Sequence, residues 1–125
     1  MKHSIMKGKE CPYCGSVTAF VDSSVIYGKS YGMIYLCKPC DAYVGVHKGS
    51  TIALGRLANY ELREAKKRAH LSFDPLWKNG MFKSRRAAYS WLAKEMNLSE
   101  HMTHIGMFNV EQCNQVVNLC KERLA

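Results

Sequence analysis

Cys11-Pro12-Tyr13-Cys14-Gly15 and Cys37-Lys38-Pro39-Cys40-Asp41 are the two stretches that decide how this chain folds. A two-residue gap lets both sulfurs of a pair reach one ion from a single tight turn. Gly15 is expected to permit the close backbone approach that such a turn needs. Residues 15–36 are long enough to form a hairpin that returns the second pair beside the first. Four thiolates complete a tetrahedral site with no open position, which makes it structural rather than catalytic. The pattern therefore predicts one structural Zn²⁺ on Cys11, Cys14, Cys37 and Cys40. Mononuclear iron suits the same four-sulfur geometry and stays open as the alternative metal. A thioredoxin-like role is disfavoured, because neither pair lies in a βαβ pattern.

Around the cysteines the composition suits short strands. Val17 to Tyr27 is rich in β-branched and aromatic residues, Tyr27-Gly28-Lys29-Ser30 signals a turn, and Tyr31 to Leu36 and Ala42 to His47 read as two further strands. Beyond about residue 57 the period becomes helical. Ala58, Leu62, Ala65 and Ala69 mark one helix face, with Asn59 as its cap and Lys66-Lys67-Arg68 near its end. Phe73 to Gly80, containing Asp74-Pro75, reads as a loop, with Asp74 as a turn residue. Ser84 can cap a second helix with Tyr89, Leu92, Ala93 and Met96 on its apolar face and Asn97 as a left-handed C-cap. Asn109 can cap a third, with Gln112 completing a capping box and an apolar stripe of Val110, Cys113, Val117, Cys120 and Leu124. The expected fold is α+β: a zinc ribbon over residues 1–50 packed on about three helices over 51–125, forming one compact unit.

The bulk properties narrow the classes. With 125 residues and 47% hydrophobic content, the chain is long and apolar enough for a folded domain and unlike a disordered one. No apolar run approaches a membrane span, and no apolar stretch follows the N-terminal charges as in a secretory signal, so a cytoplasmic protein without a membrane partner is expected. Reduced thiols in that setting favour metal over disulfides. Cys113 and Cys120, seven residues apart on one helix face, are separated by about 10 Å along the axis. They read as buried core thiols.

The formal net charge is +8, and four thiolates offset by one Zn²⁺ lower it to +6. Such a basic chain favours anionic partners. Tyrosines alternate with cations in the ribbon, where Tyr13, Tyr27, Tyr31, Tyr35 and Tyr43 lie among Lys29, Lys38 and Lys48. Exposed members of that set can stack unpaired bases while the lysines hold phosphates. Lys83, Arg85 and Arg86 at a helix start oppose the helix dipole, an arrangement a bound phosphate would turn to advantage. The expected function is nucleic-acid binding, to DNA or RNA, through Lys29, Tyr31, Lys38, Lys48, Lys83, Arg85 and Arg86. Lys66-Lys67-Arg68 is explained by the helix dipole alone. His101-Met102-Thr103-His104 has ligand-like spacing, which with Cys113 would make a second metal site, but it reads better as a polar loop. His47 and His70 read as locally hydrogen-bonded residues. No nucleophile motif, phosphate loop or carboxylate cluster points to an enzyme.

The order of motifs resembles a zinc-finger-containing domain family of bacteria and their phages. The resemblance is carried by Cys11-Pro12-Tyr13-Cys14-Gly15, by Cys37 and Cys40 with Asp41-Ala42, and by Val44-Gly45-Val46-His47. It continues through Leu54-Gly55-Arg56-Leu57-Ala58-Asn59, Ala69-His70, Phe73-Asp74-Pro75-Leu76-Trp77, Ala88-Tyr89 with Trp91-Leu92-Ala93, and His104-Ile105-Gly106. It covers nearly the whole chain and implies a zinc-bound domain, with no activity to carry over. The phage association implies the alternative function: a protein-interaction module, such as an inhibitor or modulator of a host protein.

Overall fold

The structure is a computed structural model that describes residues 3–124. It comprises a short helix α1 (His3–Met6), strand β1 (Ala19–Asp22), a one-turn helix α2 (Ser24–Tyr27), strands β2 (Met33–Cys37) and β3 (Ala42–Gly45), and helices α3 (Tyr60–Lys78), α4 (Arg85–Met96) and α5 (Val110–Leu124). Two 3₁₀ turns, Glu100–Met102 and Ile105–Met107, connect α4 to α5. The chain divides into two compact units, one ending at Tyr60 and the other beginning at Glu61.

The first unit is an antiparallel meander in the order β1-β2-β3. Tyr35 pairs with Val44 and Cys37 with Ala42, so period-two alternation puts these four on one face. Together with Cys11, Ala53 and Leu57 they form the ribbon's core. Isolated antiparallel bridges from Val46 to Ala53 and from Tyr43 to Ala58 lay residues 53–58 along β3. That segment shields an edge that would otherwise present unpaired backbone groups. Ala58 thus belongs to the sheet edge and not to a helix face. Gly8 shows where the core tolerates no side chain. At φ +78° its added Cβ would lie 3.0 Å from both the Ala53 Cβ and the Tyr35 ring.

The expected strand Val17–Tyr27 is only half realised. β1 stops at Asp22, and Ser24–Tyr27 forms a helical turn despite its β-branched residues. The Asp22 carboxylate accepts the Ser24 N–H at 2.8 Å, and Gly28 closes the turn in the left-handed region at φ 72°. These local bonds outweigh propensity, which is a weak prior. Tyr31 consequently lies before β2, in a loop, and its N–H donates to the buried Ser23 hydroxyl at 2.7 Å.

In the second unit α3 overturns the expected loop at Phe73–Gly80. The helix runs through Pro75 to Lys78. Proline removes one helical hydrogen bond, to the carbonyl four residues earlier, and crowds that carbonyl. Here that residue is Leu71, which is highly exposed, so water can satisfy the freed oxygen. In return Leu62, Ala65, Ala69, Phe73 and Leu76 continue one buried face across the proline. Asp74 is accordingly a helix residue, 3.3 Å from His70 Nδ1 and within reach of the Trp77 Nε1–H at 3.4 Å. Lys66-Lys67-Arg68 falls mid-helix, so the dipole does not explain it. Lys66 instead donates to the Gly106 carbonyl at 2.8 Å, and Lys67 pairs with Glu64 at 2.9 Å.

The other helix boundaries match their sequence signals. The Ser84 hydroxyl accepts the Ala87 N–H at 3.1 Å, and Asn97 ends α4 at φ 56°. Asn109 and Gln112 form the reciprocal capping box, each side chain accepting the other's N–H at 2.8 and 3.0 Å. Along α5 the buried stripe is Cys113, Val116 and Cys120, while Leu124 is exposed. The Arg123 guanidinium lies 4.5 Å from the Phe82 ring centre and 5.2 Å from that of Trp91. Among the described residues no helix is long and apolar enough to cross a membrane.

Candidate metal centre

The two Cys-x-x-Cys turns end at equivalent positions but close through different backbone bonds. In the first, the Gly15 N–H donates to the Cys11 carbonyl at 2.9 Å. In the second, the Asp41 N–H donates to the Lys38 carbonyl at 3.0 Å. Each turn ends on a residue in the left-handed region, Gly15 at φ 77° and Asp41 at φ 50°. Gly15 is there for that backbone angle and not for close approach, since an added Cβ would meet nothing within 4 Å. Aspartate is among the few other residues that visit this region readily. Tyr13, in the first turn, donates its hydroxyl to the Leu57 carbonyl and accepts the Asn59 N–H at 3.1 Å. That ring secures the covering segment and is committed to structure.

The residues fit a zinc ion. The four sulfurs lie within 4.8 Å of one another, and those of Cys14 and Cys37 are 3.7 Å apart. A tetrahedron with Zn–S bonds of about 2.3 Å has sulfur–sulfur edges of about 3.8 Å. A disulfide would need about 2.05 Å, and every cysteine is free. Cys11 and Cys37 are buried in the ribbon core, Cys40 is half-buried and Cys14 faces solvent. Among the described residues this is the one group of three or more ligand-type side chains close enough to hold an ion. His101 and His104 are not gathered with Cys113 into a second one.

The electrostatics show what the ion supplies. Hydrogen bonds from the Ser16 hydroxyl and N–H hold the Cys14 thiol down at about 6, with a further contribution from Cys37. Cys40 is pushed up to about 12, first by its sulfur neighbour Cys14 and then by burial. Burial raises Cys37 as well. Four thiolates cannot share this space without a cation, and Zn²⁺ is that cation. The sign of the pH dependence follows. Cys37 and Cys40 are protonated in the metal-free site at neutral pH, and each must release its proton to bind. Zinc affinity is therefore expected to fall as pH falls, by about tenfold per pH unit for each proton displaced. Below about 6 the Cys14 proton joins the count and the fall steepens. Calorimetric zinc titration in buffers of different ionisation enthalpy measures the protons released. Release of none at neutral pH would contradict this assignment.

A three-stranded ribbon closing four thiolates around one ion is a zinc ribbon, in which the metal is part of the fold. The chain belongs to the zinc-finger-containing domain family, a family of unknown function whose profile matches residues 7–123. No curated protein and no solved structure matches it significantly.

The remaining candidate residues fall into two groups. In the first unit Lys29 Nζ lies 5.8 Å from the centre of the Tyr31 ring, Lys38 is exposed on the second cysteine turn, and Lys48 lines a cavity together with Tyr31. Tyr27 and Tyr43 also line that cavity, and the sequence singled out neither as a site residue. In the second unit Arg85 and Arg86 line a cleft of about 550 Å³ with Tyr89, Glu100, His101 and His104. The Arg85 guanidinium lies 5.6 Å from the Tyr89 ring centre, and the His104 ring is 5.3 Å from the same ring. Lys83 is exposed beside the Ser84 cap.

Proposed function

We propose that this zinc-ribbon protein binds nucleic acid, with lysines and arginines on phosphates and exposed aromatic rings on bases. The observation that carries the reading is an exposed cation beside an exposed ring in the ribbon: Lys29 Nζ lies 5.8 Å from the centre of the Tyr31 ring, which is open to solvent. An ammonium beside an exposed ring is the combination that single-strand binders use, the cation for the backbone and the ring for the base. The zinc-loaded charge of +6 adds long-range attraction for a polyanion. Zinc contributes by holding the ribbon that presents the rings and does not itself touch the nucleic acid.

Lys83, Arg85 and Arg86 are assigned to phosphates. Changing all three to Ala is expected to weaken binding uniformly across sequences. It should also reduce the slope of log K against log salt by about two to three, or about one for each phosphate that these side chains neutralise. Fluorescence anisotropy at about 50 and 200 mM salt reads both quantities. An unchanged affinity and slope would remove these residues from the interface. A protein that binds no DNA or RNA at low salt would turn the search to a protein partner, as the alternative function expects.

A further inference from the structure

We infer that the cavity on the ribbon receives an unpaired nucleobase, which makes the protein selective for single strands over duplex. This rests on the nucleic-acid reading and specifies its ligand.

The cavity measures about 610 Å³, within the range of small-molecule sites. It opens on the sheet face opposite the metal core. Ile34 and Gly45, which pair in register, and Tyr43 belong to that face and line it. Val46 and Leu54 add apolar surface, while Tyr27 and Tyr31 come from the loop between β1 and β2. Tyr27 meets the other two rings edge to face, with centres 5.5 Å from Tyr31 at 88° and 6.0 Å from Tyr43 at 89°. Its hydroxyl is 3.3 Å from that of Tyr43. Two of these rings are open to solvent, Tyr31 at 72% and Tyr27 at 53%, and Tyr43 is half-buried beneath them. A cluster of large rings left in water at a concave site is the signature of a binding surface.

The wall is held in place before any ligand arrives. Ser23, only 1% exposed, lines the cavity and accepts the Tyr31 N–H on its hydroxyl, while its own N–H donates to the Gly32 carbonyl at 2.9 Å. The Asp22 carboxylate fixes the same loop through the Ser24 N–H and the Ser30 hydroxyl. The loop therefore loses little further freedom when a ring is bound.

The chemistry of the lining selects the ligand. It combines three aromatic rings, aliphatic surface and Lys48, with no acidic side chain. Lys29 stands next to Tyr31 outside the cavity. A flat heteroaromatic ring carrying phosphate on its sugar satisfies both parts: the ring stacks on tyrosine, and the lysines meet the phosphates on either side. An uncharged apolar ligand would leave the lysines unused. A duplex would keep its bases stacked on each other and out of reach.

The test uses the zinc-loaded full chain and three probes of equal length: a single-stranded oligothymidylate, the same backbone with abasic positions throughout, and a duplex. Anisotropy is expected to show the single strand bound about tenfold or more tighter than the abasic strand, since stacking adds to the backbone interactions. Tyr31→Leu, at an exposed ring, should abolish that difference while zinc content and melting temperature stay unchanged. Equal affinity for the abasic and native strands, or for duplex and single strand, would overturn the inference while leaving nucleic-acid binding intact. Failure of all three probes to bind would sink the nucleic-acid reading and this inference with it.

Discussion

Cys37→Ser is expected to yield a protein that holds no zinc and whose ribbon no longer unfolds cooperatively. Cys37 ends β2 and is buried, with its sulfur facing Cys14 in the cluster. A serine hydroxyl is nearly isosteric, but it does not ionise at neutral pH and is not a ligand for structural zinc. Three remaining sulfurs cannot close the tetrahedron. The consequence is large because structural zinc contributes an apparent 10–16 kcal/mol, as an order of magnitude of about that size, in small zinc folds. The ribbon's own core cannot replace that. It consists of Cys11, Tyr35, Cys37, Ala42, Val44, Ala53 and Leu57, with two of the seven positions being zinc ligands themselves. Units of this size bury too little surface to be more than marginal alone. Zinc per chain by elemental analysis and thermal unfolding by circular dichroism give the readout. Cys113→Ala is the control, because Cys113 is a buried thiol outside the cluster and its replacement should leave one zinc per chain. A folded, metal-free Cys37→Ser protein would show that the ribbon core suffices by itself and that the ion is not structural.

The parts of this design that were legible in the sequence are those in which one short segment contains its own explanation. The cysteine turns, the Ser84 cap, the Asn109–Gln112 box and the left-handed Asn97 each close their hydrogen bonds within a few residues, so local spacing reports them directly. The misread segments are those whose conformation is decided by partners elsewhere or by competing local bonds. Val25-Ile26-Tyr27 has strand propensity, yet the Asp22 side chain and Gly28 wind it into a turn. Ala58 fits a helical period, yet Tyr43 pairs with it across a strand edge, 15 residues away in the chain. The Tyr27, Tyr31 and Tyr43 cluster was half visible, because alternation of Tyr and Lys marked the region. The convergence of the three rings depends on that misread turn, so Tyr27 and Tyr43 could not be chosen over Tyr13 and Tyr35. The last two prove to be committed, Tyr13 to residues 57–59 and Tyr35 to the core.

Asp74-Pro75 was the strongest misleading signal, and it leads to the second large effect. A helix that continues through a proline must gain from the residues it keeps helical, and here these are Phe73, inside the turn that loses its hydrogen bond, and Leu76, just after the proline, both fully or almost fully buried. Phe73 lies one turn beyond Ala69 on the same face, and its ring centre is 4.5 Å from that of Tyr89 on α4. Such an aromatic pair adds about 0.5–1.5 kcal/mol beyond the area it buries. Phe73→Ala is expected to destabilise the helical unit by about 3–5 kcal/mol, the sum of forfeited transfer energy and an unfilled cavity. Set against a typical domain stability of about 5–15 kcal/mol, that removes much of what keeps the unit folded. Leu71→Ala provides the comparison, two residues away on the same helix. Leu71 is 77% exposed, so its truncation should change stability by no more than about 0.5 kcal/mol. Urea unfolding of the zinc-loaded proteins, followed by circular dichroism at the helical band, measures both, with the midpoint falling and the slope unchanged for Phe73→Ala. If the two variants unfolded alike, Phe73 would not anchor a buried face. The segment from Phe73 to Lys78 would then be the loop that its Asp-Pro pair suggested, since nothing would offset the hydrogen bond that Pro75 removes.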